Sequence, residues 1–214
     1  QYNTAVGPGA LSANTTAVQN VAVGISSLLN NTTGGINAAC GNNTLQANTT
    51  GTQNTAMGSG ALISNTTGSQ LTAVGANALS SFVSGTTQLT AVGFDALKLC
   101  TTAYNTAVGW QAGSAITTGQ ANVMMGDGSL SANQTGGHNV AIGRTALTAA
   151  TIGIKNIAMG CGAMSGVTTG QADENIAIGS NALAGGASTS GNQNIAIGVT
   201  AADALTSGAC NIAL

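Results

Sequence analysis

The chain has 214 residues, a net charge of −2, 4% charged side chains and 2% aromatic ones. That balance gives no basic footprint for nucleic acid, and so few aromatics cannot build a conventional core of large residues. No apolar run reaches membrane-spanning length and no secretory leader is visible, so membrane insertion is not expected.

In chain order the first element lies in Asn3-Thr-Ala-Val-Gly7, and this phrase, Asn-x-Ala-(Val/Ile/Met)-Gly, returns eleven more times up to Gly198. A further copy, Asn211-Ile-Ala-Leu214, closes the sequence. The anchor glycines are Gly7, Gly24, Gly41, Gly58, Gly75, Gly93, Gly109, Gly126, Gly143, Gly160, Gly179 and Gly198. Their separations are 17, 17, 17, 17, 18, 16, 17, 17, 17, 19 and 19 residues. A short, nearly constant period predicts an all-β parallel β-solenoid with one repeat per coil, a single module over 1–214. Because the phrase opens the chain and is interrupted at its end, we expect a fragment of a longer fibre or a processed subunit with covered ends.

Within a repeat such as Asn139-Val-Ala-Ile-Gly-Arg-Thr-Ala-Leu147, Val140 and Ile142 alternate with Ala141, the period-two pattern of a strand. The glycine then permits a tight turn. A second apolar pair follows, Ala146-Leu147, as in Ala10-Leu11, Ala61-Leu62 and Ala182-Leu183, and reads as a second strand. Asn48-Thr-Thr-Gly51, Asn65-Thr-Thr-Gly68 and Thr168-Thr-Gly170 read as outer turns. Each coil is thus expected to hold two short strands and two turns. Ala stands two residues before every anchor glycine except at Met124, which implies limited space on that side, either the opposite wall of a flat coil or another subunit. The flanking Val, Ile, Met or Thr residues would fill the coil interior.

Neighbouring repeats vary together. The motif Asn is replaced at Leu71 and Leu89, Phe94 and Trp110 each follow their glycine, and Asp127 and Arg144 take that same column next. Stacked coils ~4.8 Å apart would make these an apolar pair, an aromatic stack and an ion pair. Coils of small residues enclose a thin apolar strip, so a single-chain rod of roughly 60 Å would be marginal. Three parallel chains around one axis would bury a second apolar face.

The stretches Asn139-Val-Ala-Ile-Gly-Arg-Thr-Ala146 and Asn175-Ile-Ala-Ile-Gly-Ser-Asn-Ala182 resemble the head repeats of trimeric autotransporter adhesins. Asn105-Thr-Ala-Val-Gly-Trp-Gln-Ala-Gly113 is similar to repeats of phage tail fibres, many of which end in a self-cleaving chaperone. The resemblance covers essentially the whole chain. It implies a left-handed β-roll, assembled as a parallel homotrimer and displayed outside the cell on a virion or a bacterial surface. The period departs from the adhesin heads, where it is commonly shorter.

Candidate chemistry is sparse. His138, the only histidine, precedes a motif Asn without a nucleophile or carboxylate partner and reads as a solvated turn residue. Asp173 and Glu174 are adjacent, but on an extended loop their side chains diverge, so a metal pair is not expected. Cys40, Cys100, Cys161 and Cys210 fall in coils that are not neighbours, so bridges within the chain are not expected. Cys40 replaces Val in its motif and reads as a small core residue; the trimer axis could join equivalent cysteines. Asn14, Asn30, Asn31, Asn42, Asn48, Asn65 and Asn133 begin Asn-x-Thr sequons, either glycan acceptors or plain Asn-rich turns. Stacked Thr-Thr pairs invite an ice-binding reading, which their place in turns of varying length opposes. Phe82, Phe94, Tyr104 and Trp110 cluster where the period wobbles to 18 and 16. They read either as a plug in a wider coil or, at Phe94, Tyr104 and Trp110, as a glycan-binding patch.

Together these observations predict a non-catalytic shaft segment of a homotrimeric surface fibre, a viral tail or receptor-binding fibre, or alternatively a bacterial trimeric adhesin that binds host matrix or glycans. Expected partners are copies of itself, flanking fibre modules, and a host glycan or receptor. No cofactor, metal or catalytic residue is expected.

Overall fold

The computed structural model describes residues 2–85, 88–166, 172–185, 191–205 and 207–214. Two compact units follow one another, Gln1–Tyr104 and Asn105–Leu214. The first holds β1 (Thr4–Val6), β2 (Val21–Val23), β3 (Ala38–Cys40), β4 (Thr55–Met57), β5 (Thr72–Val74) and β6 (Thr90–Val92). The second holds β7 (Thr106–Val108), β8 (Val123–Met125), β9 (Val140–Ile142) and β10 (Ile157–Met159). It continues through β11 (Ile176–Ile178), β12 (Ile195–Ile197) and β13 (Ile212–Ala213). Within each unit every strand pairs in parallel with the next, and the small central residues face one another: Ala5 with Ala22, Ala22 with Ala39, Met124 with Ala141, Ala141 with Ala158. The described residues contain no helix. The fold is a parallel β-solenoid of about twelve turns with a repeat of about 17 residues.

Each coil has one short strand, of three residues in β1 to β12 and two in β13, where the sequence predicted two strands. The Ala-Leu pair lies in a turn instead, and Leu28, Leu45 and Leu62 adopt φ of 51°. Gly60, two residues before Leu62, also has positive φ, so residues of opposite backbone hand alternate along this wall. The alternation sends successive N–H groups in different directions. Ala61 N–H donates back to Gly58 O at 3.2 Å, Leu62 N–H crosses to Ala78 O on the next coil at 3.0 Å, and Ile63 N–H returns to Gly60 O at 3.2 Å. A non-glycine residue in the left-handed region costs ~1–2 kcal/mol. Complete burial of a leucine side chain stabilises by ~1.5–3 kcal/mol, which offsets that strain. Leu28, Leu45, Leu62, Leu79, Leu97 and Leu147 are all fully buried.

The residues flanking each strand centre face opposite to expectation, while the Ala column meets the opposite wall of the coil, one of its two expected readings. The central Ala of each strand points into the coil, and the flanking Val, Ile, Met and Thr point out. Ala22, Ala56, Ala73, Ala141 and Ala177 are fully buried, whereas Met57 is 48% exposed and Met125 and Ile178 stand outside as well. The leucine wall already fills the narrow interior, so only a methyl group fits opposite it. Cys40, on a flank position of β3, is therefore exposed, and the core cysteine is Cys100. The anchor glycines let adjacent coils touch. At Gly24, with φ of +131°, a Cβ would lie 2.4 Å from Gly41 O.

Two files of buried asparagine complete the interior. Asn20 Oδ1 accepts from Asn37 N–H at 2.9 Å, Asn37 Oδ1 from Asn54 N–H at 3.0 Å, and Asn54 Oδ1 from Leu71 N–H at 3.0 Å. Eleven residues further along each coil stands the second file, where Asn48 Nδ2 donates to Asn31 Oδ1 at 2.8 Å and Asn65 Nδ2 to Asn48 Oδ1 at 3.0 Å. The two amides of one coil meet on one carbonyl: Asn37 Nδ2 and Asn48 Nδ2 both donate to Gly51 O, at 2.9 and 3.1 Å. Buried backbone groups must be paired, and these amides pair those at the corner where the strand begins.

Candidate interaction surfaces

With the interior filled largely by Ala, Leu and Asn, the side chains that a partner could meet are those the coil turns outward. Two such surfaces stand out. The first is the outer face of the strands. Its two columns carry no charged residue, and in the second unit they enlarge to Ile157 and Met159, Ile176 and Ile178, then Ile195 and Ile197. In the first unit the same columns hold smaller or more polar residues, among them Thr55, Thr72, Thr90 and Ala38.

The second surface is the edge that follows each anchor glycine. In the second unit it presents Trp110, Asp127, Arg144, Cys161 and Ser180 on successive coils. Backbone bonds keep this file in register: Gly128 N–H donates to Trp110 O at 2.9 Å, Thr145 N–H to Asp127 O at 2.8 Å, and Gly162 N–H to Arg144 O at 3.0 Å. The predicted stacking of Asp127 under Arg144 is therefore observed, but the predicted ion pair is not formed. Arg144 Nη2 instead leans toward Cys161 Sγ at 3.6 Å. Ion pairs among the described residues are Lys98–Asp95 and Lys155–Glu174, each at 3.1 Å.

The aromatic residues divide by burial. Phe82 is 1% exposed and plugs the core, whereas Phe94 is 44%, Tyr104 55% and Trp110 53% exposed. Phe94 and Tyr104 belong to the first unit and Trp110 to the second. Leu71 and Leu89, the predicted apolar pair, are both buried one coil apart, next to the register partners Thr72 and Thr90.

The remaining candidates have structural roles. His138 is exposed in its turn, with φ of 58° and its N–H donating to Gln120 O at 2.9 Å. Asp173 and Glu174 do diverge: Asp173 Oδ1 accepts from Ile154 N–H at 2.9 Å, while Glu174 accepts from Lys155 Nζ and Gln193 Nε2, both at 3.1 Å. The Gln193 hydrogen bond, then the bond and charge of Lys155, hold the Glu174 carboxyl below its ordinary value. Among the described residues no group of three or more His, Cys, Asp or Glu side chains could hold a metal ion. No helix of the described residues is long and apolar enough to cross a membrane. The turn predicted at Thr168–Gly170 lies outside the described residues.

The sequons required correction. Asn31, Asn48, Asn65 and Asn133 are fully buried, so they are neither solvated turn residues nor glycan acceptors; Asn30 and Asn42 are exposed. The sequence signal for the second file is the recurrence of Asn eleven residues after the motif Asn, within a composition that otherwise matches a turn. Among the described residues Asn133 is the one with no partner for either buried side-chain atom; its column neighbours are Ile116 and Ala150 rather than asparagines. No protein-family model matches the chain, and comparison with curated proteins and with solved structures yields no match.

Proposed function

We propose that the chain is a shaft segment of a homotrimeric surface fibre, a viral tail or receptor-binding fibre that holds a host-attachment tip away from its particle. One observation carries this reading: the outer face of the strands is uncharged, and from β8 to β12 both of its columns are wholly Val, Ile and Met, whereas Thr, Ala and Cys are mixed in before them, although the interior is already closed largely by Ala, Leu and Asn. A contiguous apolar surface of this kind marks an interaction site. Three parallel chains that turn these faces to a common axis would cover it, each with the same residue at the same height. The function is then mechanical and needs no catalytic group. Stiffness would come from backbone bonds between coils and from the asparagine files.

Light scattering on the purified chain tests the assembly. We expect three times the chain mass of 20.4 kDa. Ile178→Asp with Ile197→Asp places charges on the apolar face and is expected to give monomers or aggregates. A folded, soluble wild-type monomer would overturn the proposal.

A further inference from the structure

We propose that Trp110, Asp127 and Arg144 form a lateral binding site for a neutral saccharide bearing vicinal hydroxyl groups. The proposal rests on the reading of the chain as a surface-displayed fibre and assigns that fibre a ligand-binding edge. The three residues occupy the same position on consecutive coils, and the register through β7, β8 and β9 is continuous. They are thus spaced by about 4.8 Å per coil, so the file spans about the width of one or two sugar rings.

The chemistry of the three is complementary. A pyranose ring presents a face of C–H bonds, polarised positive, that suits the electron-rich face of an indole. Trp110 is 53% exposed on this edge. One coil on, the Asp127 carboxylate is exposed and makes no side-chain hydrogen bond among the described residues. It can accept hydrogen bonds from two hydroxyls. One coil further, the exposed Arg144 guanidinium is not paired with Asp127, and its contact is the 3.6 Å approach to Cys161 Sγ. Its planar fork can donate to the oxygens of the same diol. An adjacent carboxylate and guanidinium sum to no net charge, which favours a neutral sugar. A sialic or uronic acid would bring its carboxylate beside Asp127. The file carries a single carboxylate where most glycoside hydrolysis uses a pair, so the role proposed for the site is binding.

Trp110 is the only tryptophan in the chain, so its fluorescence reports on this position alone. The test titrates the purified wild-type chain with lactose, maltotriose, chitotriose and 3′-sialyllactose while following that emission. An array of neutral and sialylated oligosaccharides is probed in parallel. We expect saturable binding of a neutral glycan, weakened about tenfold or more by Asp127→Asn and by Trp110→Ala, the loss expected when a charged hydrogen bond or a stacked ring is removed. Ile25→Ala, an exposed position on the same edge in the first unit, is expected to leave it unchanged. All three variants alter exposed side chains, and unchanged melting confirms that they fold. Retention of no glycan, retention of sialylated glycans alone, or equal binding by wild type, Trp110→Ala and Asp127→Asn would overturn the site. Light scattering on the same samples judges the fibre separately: a trimer that binds no glycan removes the site and leaves the shaft.

Discussion

The coils from Asn3 to Gly68 and the two that follow, from Leu71 to Tyr104, wind similar backbones around different interiors. In the first set each coil carries an asparagine in both files, and the two amides converge on one carbonyl: Asn3 and Asn14 on Ala17, Asn20 and Asn31 on Gly34, Asn54 and Asn65 on Gly68. In the second set both positions change together, to Leu71 with Phe82 and to Leu89 with Cys100, all buried. The anchor-glycine separations over this region are 18 and 16 residues, where the earlier ones are 17. In the regular coils an amide clamp takes the corner carbonyl fourteen residues beyond the motif Asn, and the period there is 17. An apolar filling makes no such bond. The second unit agrees: coils with Asn105 but Ile116, or Asn139 but Ala150, keep one amide on the corner carbonyl. Where the separation grows to 19, Asn156 Nδ2 still reaches a carbonyl, that of Ala172, sixteen residues ahead rather than fourteen.

The largest contrast between the two regions is expected at glycine. Gly24 and Gly85 share a φ of +131°, but a Cβ on Gly24 would lie 2.4 Å from Gly41 O, while one on Gly85 would meet nothing within 4 Å. Gly85→Ala bears the backbone strain alone, ~1–3 kcal/mol. Gly24→Ala adds overpacking against a neighbouring coil, another ~1–3 kcal/mol. Chemical denaturation of the two variants should rank them in that order, and equal losses would show that the coils are not in close contact through their glycines.

Next in size is the amide clamp itself. Asn37→Leu puts into a laddered coil the residue that Leu71 already provides in an apolar one. There it orphans Asn54 N–H, which Asn37 Oδ1 accepts at 3.0 Å, and leaves Gly51 O with one donor instead of two. A buried group without a partner costs ~1–3 kcal/mol. Amide hydrogen exchange should quicken at Asn54 first, since local opening follows the lost bond. An exchange rate at Asn54 equal to wild type would break the argument that the file holds the coil.

How far the sequence reveals this structure depends on which property is asked for. The period and the register of coil on coil were legible, because the glycine phrase recurs at each contact. The direction of the strand was not. Three residues alternate equally well with Ala inward or outward, and the choice depends on the width of the coil. That width rests on leucines held at φ near +50°, a conformation that residue propensities assign to glycine and asparagine. The asparagines misled for a related reason. A polar residue between Thr and Gly reads as a solvated turn, and only its constant distance from the motif Asn marks it as a buried file. Of the lateral site, the column of Trp110, Asp127 and Arg144 was legible, but the absence of an ion pair within it was not.

A smaller effect is expected at Asn133, where the second file is reduced to one member. Its neighbours in the column are Ile116 and Ala150, and neither of its amide atoms has a partner. Asn133→Leu removes a buried amide that makes no bond and restores the filling that Ile116 uses. The change is expected to be neutral or stabilising by about 1 kcal/mol, the opposite sign to Asn37→Leu. A loss as large as that of Asn37→Leu would mean that the amide is held by a bridging water.

The smallest effect separates the regions by charge. The coils from Asn3 to Gly68 contain no carboxylate side chain, so pH acts chiefly on the later ones. The Glu174 carboxyl is held below its ordinary value of 4.5, first by the Gln193 hydrogen bond and then by the bond and charge of Lys155. A lowered native value means that the ionised form favours the folded rung. Its contribution is complete above pH 4.5 and is lost as the pH falls through the lowered native value. Glu174 lies in the solvent, so the contribution is small and screened by salt. Lys155→Met removes two of the causes and should raise the titration midpoint of the Glu174 carboxyl toward its ordinary value. The carboxyl carbon resonance, followed by NMR between about pH 6 and pH 3, reads that midpoint directly. A wild-type midpoint at or above 4.5 would show that the Lys155–Glu174 bridge at 3.1 Å is not populated in solution.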